Sequence, residues 1–177
     1  KKALKGEIDL ITPATAIGQE LMSGSIPKVT ASDRLFEQEK QLIANMKKVF
    51  MMIVGSAVQK FGPNLDAEQQ ILLAVSDILI ETYVAESILL RVEKNAERYG
   101  VATQEKQIEM TQLYLFQAIE RINAKGKEAI VSFAEGGQQA GMIAGLKQYT
   151  KYAEYPNVSE LRKSIAAKVI DENKYPF

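Results

Sequence analysis

The sequence predicts an all-α protein, an up-and-down helical bundle of three long helices followed by a C-terminal helical pair. Two observations lead to this fold class. Apolar residues between Asp66 and Arg98 recur at alternating spacings of three and four, which is typical of an amphipathic helix. No stretch of useful length alternates between apolar and polar residues as a half-buried strand does, and Gly-Pro and Tyr-Gly dipeptides separate the helical segments.

The chain divides into three predicted parts. Residues 1–13 are expected to form the end of a helix that begins before this sequence, since Pro13 stops the helical pattern. Residues 14–32 are rich in Gly and Ser and are predicted to be a linker or loop, and residues 33–177 form the helical bundle domain. Because the first residue is Lys1 and not Met, we expect the sequence to start inside a longer protein or after a processed segment.

The predicted linker carries apolar side chains that are unusual for a solvated segment. Two interpretations stay open: these side chains contact a partner or a membrane surface, or the linker packs them on its own bundle. The residues concerned are Leu21, Met22, Ile26 and Val29.

The first long helix is predicted to run from Asp33 or Arg34 to Phe61. Gly62-Pro63 ends it, since Gly suits a helix C-terminus and Pro cannot continue the hydrogen-bond ladder. This segment carries an excess of basic residues and the next one an excess of acidic residues, so we expect the two helices to pair antiparallel across the short connection.

The second long helix carries two apolar stripes. Asp66 is predicted to cap its N-terminus, with Gln69 at the reciprocal position. The two stripes together are wider than a coiled-coil seam, so we expect neighbours on two sides of the helix. The first stripe is Ile71, Val75, Ile78, Thr82, Ala85, Leu89 and Val92, and the second is Leu72, Leu79, Tyr83 and Leu90.

The third long helix is predicted from about Gln104 to Ala134, with a bend or fraying at Gly126. The C-terminal pair is predicted from Gly137 to about Tyr152 and from Val158 to about Asn173. Asn157 is expected to cap the last helix.

Glycines recur every four residues on one face of the first C-terminal helix. Small residues at this spacing predict a close approach of a neighbouring backbone, which we favour over a phosphate-binding loop because no preceding strand and no Gly-Lys-Ser/Thr ending is present. The glycines are Gly137, Gly141 and Gly145.

Composition limits the chemistry that the chain can perform. It has no His and no Cys, which removes the commonest general base, the thiol nucleophile and the usual ligands of a metal site. Asp77, Glu81 and Glu86 therefore predict a solvated acidic stripe, or partners for the basic helix, and not a di-iron site. The 22 basic and 22 acidic residues balance, which argues against nucleic-acid binding. We expect a cytoplasmic location, with membrane association as an alternative, and no catalytic, cofactor-binding or metal-binding residue in this chain.

Residues 46–98 resemble the C-terminal extension of the very-long-chain type of acyl-CoA dehydrogenase and of its relative known as family member nine. Gln70, Leu73 and Asp77 resemble one helical pattern of that extension, and residues 117–122 (QAIERI) resemble its Ala-x-x-Arg-Ile ending. Ala3 to Leu10 resembles the helix that leaves the catalytic core, and residues 175–177 (YPF) resemble the short aromatic ending of the family.

This resemblance implies a non-catalytic C-terminal domain of a flavoenzyme of fatty-acid β-oxidation. FAD is then expected in the full-length parent, whose catalytic Glu-Gly-Thr segment has no counterpart here. The implied partners are the catalytic core of the same polypeptide and a second copy in a homodimer. In this family the loop before the first long helix is linked to membrane association, and residues 14–32 match that loop by position. The alternative is a stand-alone helical protein-interaction adaptor.

Overall fold

The computed structural model describes Asp9 and residues 11–174, and within these residues the chain is helical and contains no strand. This confirms the all-α prediction. Most of residues 1–10, and Tyr175 to Phe177, lie outside the described residues, as do the predictions made for them. The helices are α1 (Ile11–Ser23), α2 (Glu37–Phe61), α3 (Gln69–Tyr99), α4 (Glu105–Phe133), α5 (Gly136–Tyr149) and α6 (Val158–Glu172).

The central helix of the bundle is α2, which packs against α1, α3, α4 and α5. Its neighbour α3 also packs along the length of α4. In this way α3 covers one side of the α2–α4 layer, and α1 and α5 cover the other.

Ion pairs show the directions of the long helices. Lys40 pairs with Glu93 and Lys47 with Glu86, so residue numbers rise along α2 as they fall along α3. These pairs confirm the predicted antiparallel arrangement and its charge complementarity. On the other side of α3, Glu81 pairs with Arg121 and Asp77 with Lys125, so α3 and α4 are also antiparallel.

The core contains the first apolar stripe of α3 as predicted. All seven of its residues are buried, including Thr82, whose hydroxyl donates to the Ile78 carbonyl oxygen at 2.7 Å. The burial of this stripe thus follows from the 3.6-residue period of the helix, which places all seven residues on one face.

The prediction that the chain is irregular from residue 14 is wrong, because α1 runs from Ile11 to Ser23. Pro13 does not stop this helix but lies in its first turn, where a missing N–H costs no hydrogen bond. The Asp9 carboxylate accepts hydrogen bonds from the backbone N–H groups of Thr12 and Ile11, at 3.0 and 3.1 Å, and these bonds lower the pKa of Asp9.

The first long helix begins later than predicted, at Glu37. The reason is Phe36, which adopts a left-handed conformation with φ 59° and ψ 17° and so cannot belong to a right-handed helix. Its ring is buried in the core. Burial of this ring offsets the roughly 1–2 kcal/mol that the left-handed conformation costs a residue with a Cβ.

The connection from α2 to α3 confirms one predicted signal and corrects another. Gly62 ends α2 with a positive φ of 50°. Asp66 does not cap α3, because it lies in a 3₁₀ turn, Gly62–Ala67, and α3 begins at Gln69. The Gln69 side-chain amide donates to the backbone carbonyl oxygen of Asp66 instead.

The two C-terminal helices pack on the bundle and not on each other. The shorter α5 lies against α1, α2 and α4, whereas α6 lies against α4. The predicted cap of α6 is confirmed, since Asn157 Oδ1 accepts from the backbone N–H of Glu160 at 3.2 Å.

Candidate functional site

The candidate functional features are surfaces, and the first is the outward face of α1. Its exposed residues carry no charge. The single charged side chain of α1, Glu20, turns inward. Six of the exposed residues form what we call the α1 face: Ile11, Thr12, Thr15, Ala16, Gln19 and Met22.

Glu20 connects α1 to two other helices. Lys48 Nζ of α2 donates to the two Glu20 carboxylate oxygens at 2.7 and 2.8 Å. The Tyr149 hydroxyl of α5 donates to Glu20 Oε1 at 3.2 Å, and burial together with this carboxylate raises the pKa of Tyr149. Sequence reasoning missed Glu20, because residues 14–32 offered no reason to place it on a helix that faces Lys48.

The apolar residues predicted to contact a partner or membrane have different environments. Leu21 packs beside α5, and Ile26 and Val29 pack against the core from the segment between α1 and α2. These contacts favour the second interpretation for the three residues, in which the segment packs its apolar side chains on its own bundle. Met22 is 92% exposed and stays available for contact.

The glycines predicted to allow close packing also differ from one another. A Cβ at Gly145 would overlap the Leu21 side chain of α1, so the helices do approach there. A Cβ at Gly137 or Gly141 would meet no atom within 4 Å, so the prediction is wrong for both, which lie on the open side of α5.

Two glycines of the long helices approach their neighbours closely. A Cβ at Gly126 of α4 would lie 2.9 Å from Leu146 Cδ1, and one at Gly55 of α2 would overlap Ala14 of α1. Gly126 therefore does not fray α4, which continues unbroken to Phe133, but admits α5. No spacing rule singles out these glycines, because each is isolated in its own helix.

The acidic residues of α3 are engaged between helices. Arg121 Nε and Nη2 donate to the Glu81 carboxylate at 2.6 and 2.8 Å, and the Tyr114 hydroxyl donates to it at 3.0 Å. The hydrogen bonds from Arg121 lower the pKa of Glu81. Asp77 lies 3.7 Å from Lys125 Nζ. The acidic residues of α3 thus form ion pairs with α4 as well as with the basic helix α2. In the described residues, no group of three or more carboxylates is arranged to hold a metal.

The second surface is the outward side of α3. The second apolar stripe was predicted to contact neighbouring helices, but most of it is not covered by the described part of the chain. Leu79, Tyr83 and Leu90 are exposed, and only Leu72 is partly buried. Leu73 and Ile80 add to the same exposed side. None of the described helices is long and apolar enough to cross a membrane.

Comparisons with known proteins identify the family. Residues 45–148 match the model of the acyl-CoA dehydrogenase C-terminal domain. A probable acyl-CoA dehydrogenase of Bacillus subtilis strain 168 is 34% identical over 175 residues, which cover 99% of this chain and 29% of that protein. A crystal structure of an acyl-CoA dehydrogenase from Bacillus anthracis, complexed with FAD, is 32% identical with a TM-score of 0.91.

The similarity to the Bacillus anthracis structure covers 99% of this chain and 30% of that one, so the chain spans less than a third of the length of these two relatives. The family match, the helical architecture and the agreement in structure lead to one assignment. This chain belongs to the acyl-CoA dehydrogenase C-terminal domain family.

Proposed function

We propose that this chain is the non-catalytic C-terminal helical domain of an FAD-dependent acyl-CoA dehydrogenase, and that it packs on the catalytic core and supports dimer assembly. The observation that carries the proposal is the coverage: nearly all of this chain aligns with only 30% of an FAD-complexed dehydrogenase. The remaining 70% of such a protein is long enough to hold the flavin and the reacting groups.

The side chains of this chain support a structural role. The carboxylates of Glu20, Glu81 and Glu86 neutralise Lys or Arg side chains across helix boundaries. They are therefore occupied as structural ion pairs and are not poised as general bases, which need a reachable substrate proton.

The apolar groove between α3, α4 and α6 does not fit FAD. Its volume is about 660 Å³, and Arg91 is the one charged residue in its lining. A dinucleotide pyrophosphate requires several converging N–H donors, as at a glycine-rich helix N-terminus. We therefore assign FAD to the rest of the polypeptide and derive no catalytic step from this chain.

The α1 face is the surface that we assign to the catalytic core. It lies on the helix that the preceding part of the polypeptide enters, and it is uncharged over three turns. A surface depleted of charge is typical of the buried centre of an interface. Of the residues first considered for membrane contact, only Met22 is exposed, so the core is a better occupant than a membrane.

The substrate follows from the resemblance of residues 46–98 to the very-long-chain type of the enzyme. We propose an acyl-CoA thioester of fatty-acid β-oxidation as the substrate of the full-length protein. The competing function, a stand-alone adaptor, requires that no catalytic segment precede Lys1 in the intact gene product.

The test is to purify the full-length polypeptide and measure its flavin absorbance and its acyl-CoA-dependent reduction of an electron acceptor. We expect both signals from the full-length protein and neither from residues 1–177 alone. Flavin bound by the 177-residue chain alone would contradict the assignment of FAD to the core.

A pair of matched variants tests the α1 face within the same protein. Ala16→Glu places a charge in the proposed core contact, whereas Ala166→Glu places one on exposed α6. We expect the melting temperature of the flavin-loaded protein to fall only for Ala16→Glu. Equal melting temperatures for the two variants would show that the core packs elsewhere.

A further inference from the structure

The exposed side of α3 carries a regular row of residues, Leu73, Ser76, Ile80, Tyr83, Ser87 and Leu90, which we call the α3 seam. Its four large side chains are between 53% and 70% exposed. The spacing alternates between three and four, as in one helix of a coiled coil whose partner helix is absent. This apolar row lies on the surface of the bundle, which a soluble helix normally covers with polar residues.

The two serines of the seam do not make it polar. The Ser76 hydroxyl donates to the Leu72 carbonyl oxygen, and the Ser87 hydroxyl donates to the Tyr83 carbonyl oxygen, both at 2.7 Å. Because both donors are satisfied within the helix, the serines present small side chains to an approaching surface. Small residues between large ones permit close packing of a second helix.

The order of residue types along the seam is the same in both directions. In order it is Leu, Ser, a large apolar residue, a large apolar residue, Ser and Leu, and its spacings of three, four, three, four and three are also symmetric. An antiparallel copy of the seam would place Leu73 beside Leu90, Ser76 beside Ser87 and Ile80 beside Tyr83. A two-fold interface requires this self-complementarity, since each surface must match itself.

Charge also selects the antiparallel direction. The next position of the row after Leu90 is Lys94, which is exposed. A parallel pair would place Lys94 against Lys94 of the second copy, whereas the antiparallel pair places it beside Gln69. The carboxylates that flank the row, Asp77 and Glu86, are paired within the bundle with Lys125 and Lys47 and bring no unpaired negative charge to the contact.

The catalytic core is not the expected occupant of the seam. The preceding chain enters at α1, and α1 packs on the opposite side of the α2–α4 layer from α3. A contact with the core at α1 therefore leaves the α3 seam on the far side of the domain.

We propose that the α3 seam packs antiparallel against the α3 seam of a second copy of this chain, across a two-fold axis between Glu81 and Thr82. This inference rests on the dimer assembly in the proposed function and assigns a surface to it. The contact places the second copy of the C-terminal domain, and not a core, against α3.

Cysteine cross-linking in the full-length protein tests the register. This chain contains no Cys, and any cysteine in the rest of the polypeptide is first replaced by serine. Ser76→Cys protein and Ser87→Cys protein are oxidised separately and as a mixture. In the proposed register, positions 76 and 87 of two copies face each other, whereas each position lies about 16 Å along the helix axis from its own copy, too far for a disulfide.

We therefore expect a disulfide-linked dimer in the mixture and none in either separate sample. Dimers in the separate samples would show a parallel contact and overturn the proposal. The absence of a dimer from every sample would also overturn the proposal, whether the two cysteines react with maleimide or are protected by the core. Flavin content and dehydrogenase activity are measured on the same samples. An active, flavin-loaded protein without the cross-link would overturn the α3 contact alone, whereas a protein without flavin or activity would overturn the proposed function.

A second pair of variants tests the energetics of the contact. Tyr83→Glu inserts a charge at the centre of the seam, and Ile170→Glu makes the same kind of change at an exposed residue of α6. We expect Tyr83→Glu to weaken self-association by about tenfold or more, as for a central aromatic residue of an interface, and Ile170→Glu to leave it unchanged. Equal self-association of both variants and the wild type, measured by sedimentation, would contradict the proposal.

Discussion

Gly55 lies where α1 crosses α2, and its missing side chain lets the two helices touch. A Cβ at this position would overlap the Cβ of Ala14 and approach the Ala14 backbone, which cannot rotate away as a long side chain can. We predict that Gly55→Ala lowers the free energy of unfolding by about 1–3 kcal/mol, the usual effect of overpacking a close contact. Urea unfolding of the 177-residue chain measures this change.

Gly141→Ala is the matched control for Gly55→Ala. It makes the same substitution inside a helix, but no atom lies within 4 Å of the new Cβ. Alanine should therefore raise the free energy of unfolding by up to about 1 kcal/mol, through its better helix propensity. If both variants were stabilised alike, the close approach of α1 to α2 at Gly55 would be wrong.

Glu81 makes stability depend on pH through its bonds to Arg121. Hydrogen bonds from Arg121 lower the pKa of Glu81 in the folded state below the ordinary value of a glutamate. A lowered folded-state pKa gives stability above the unfolded-state pKa, and this stability is lost as the pH falls through the folded-state pKa. We predict that Glu81→Gln costs about 0.5–1 kcal/mol at pH 7, a small value because Arg121 is nearly half exposed, and that the cost is lost as the pH falls through the lowered pKa of Glu81.

The measurement is urea unfolding of wild type and Glu81→Gln at several pH values between 3 and 7. Glu97→Gln is the control, since Glu97 is exposed and makes no ion pair within the described part of the chain. A cost of Glu81→Gln that grew as the pH fell would contradict the direction of the pKa shift.

Among the helices, α6 depends most on its own end groups. It has no buried residue and packs only on α4, so tertiary contacts contribute little to it. We predict that Asn157→Ala, which removes the cap of the Glu160 N–H, costs about 1 kcal/mol and raises amide exchange across α6 while α2, α3 and α4 keep their protection. Ser159→Ala, in the same first turn but outside the cap, should leave exchange unchanged. If amide exchange in α6 were equally slow in Asn157→Ala and Ser159→Ala, tertiary packing would be holding the helix.

Helix α3 could be predicted from the sequence, whereas α1 could not. The apolar period of α3 is long and regular, and every residue of its first stripe is buried. In α1, by contrast, Pro13 and Gly18 weaken the local signal, and the helix is held by Ile17, Leu21 and Glu20 against helices that the sequence alone does not place beside it. A local pattern cannot reveal a helix whose stability comes from distant contacts.

The sequence also could not reveal which stripe of α3 this chain covers. Both stripes have the same period and similar residues, so hydrophobicity alone predicts that both are buried. The bundle supplies two neighbours, α2 and α4, and both approach α3 from the side of the first stripe. Two residues of the remaining stripe, Tyr83 and Leu90, belong to the α3 seam, which we propose contacts a second copy of this chain.

At the scale of the whole molecule, the bundle separates two surfaces. The α1 face lies on the first described helix, and the α3 seam lies on the opposite side of the α2–α4 layer. In the proposed function, the domain contacts the catalytic core on one side and a second copy on the other. Changes on the two sides should therefore have independent effects.

Methionine oxidation tests whether the core covers the α1 face. Met22 is 92% exposed in this chain, whereas Met46 is buried and Met110 is partly buried at the α3–α4–α6 groove. Peroxide oxidises exposed methionines first, so Met22 should become the sulfoxide fastest in the 177-residue chain, and about fivefold or more slowly in the full-length protein. Met110 should react alike in both, because α1 lies on the other side of the bundle, and Met46 should stay protected in both as a control for folding. Equal oxidation of Met22 in the two proteins, measured by mass spectrometry, would leave the α1 face free of the core and would require another surface for the domain contact.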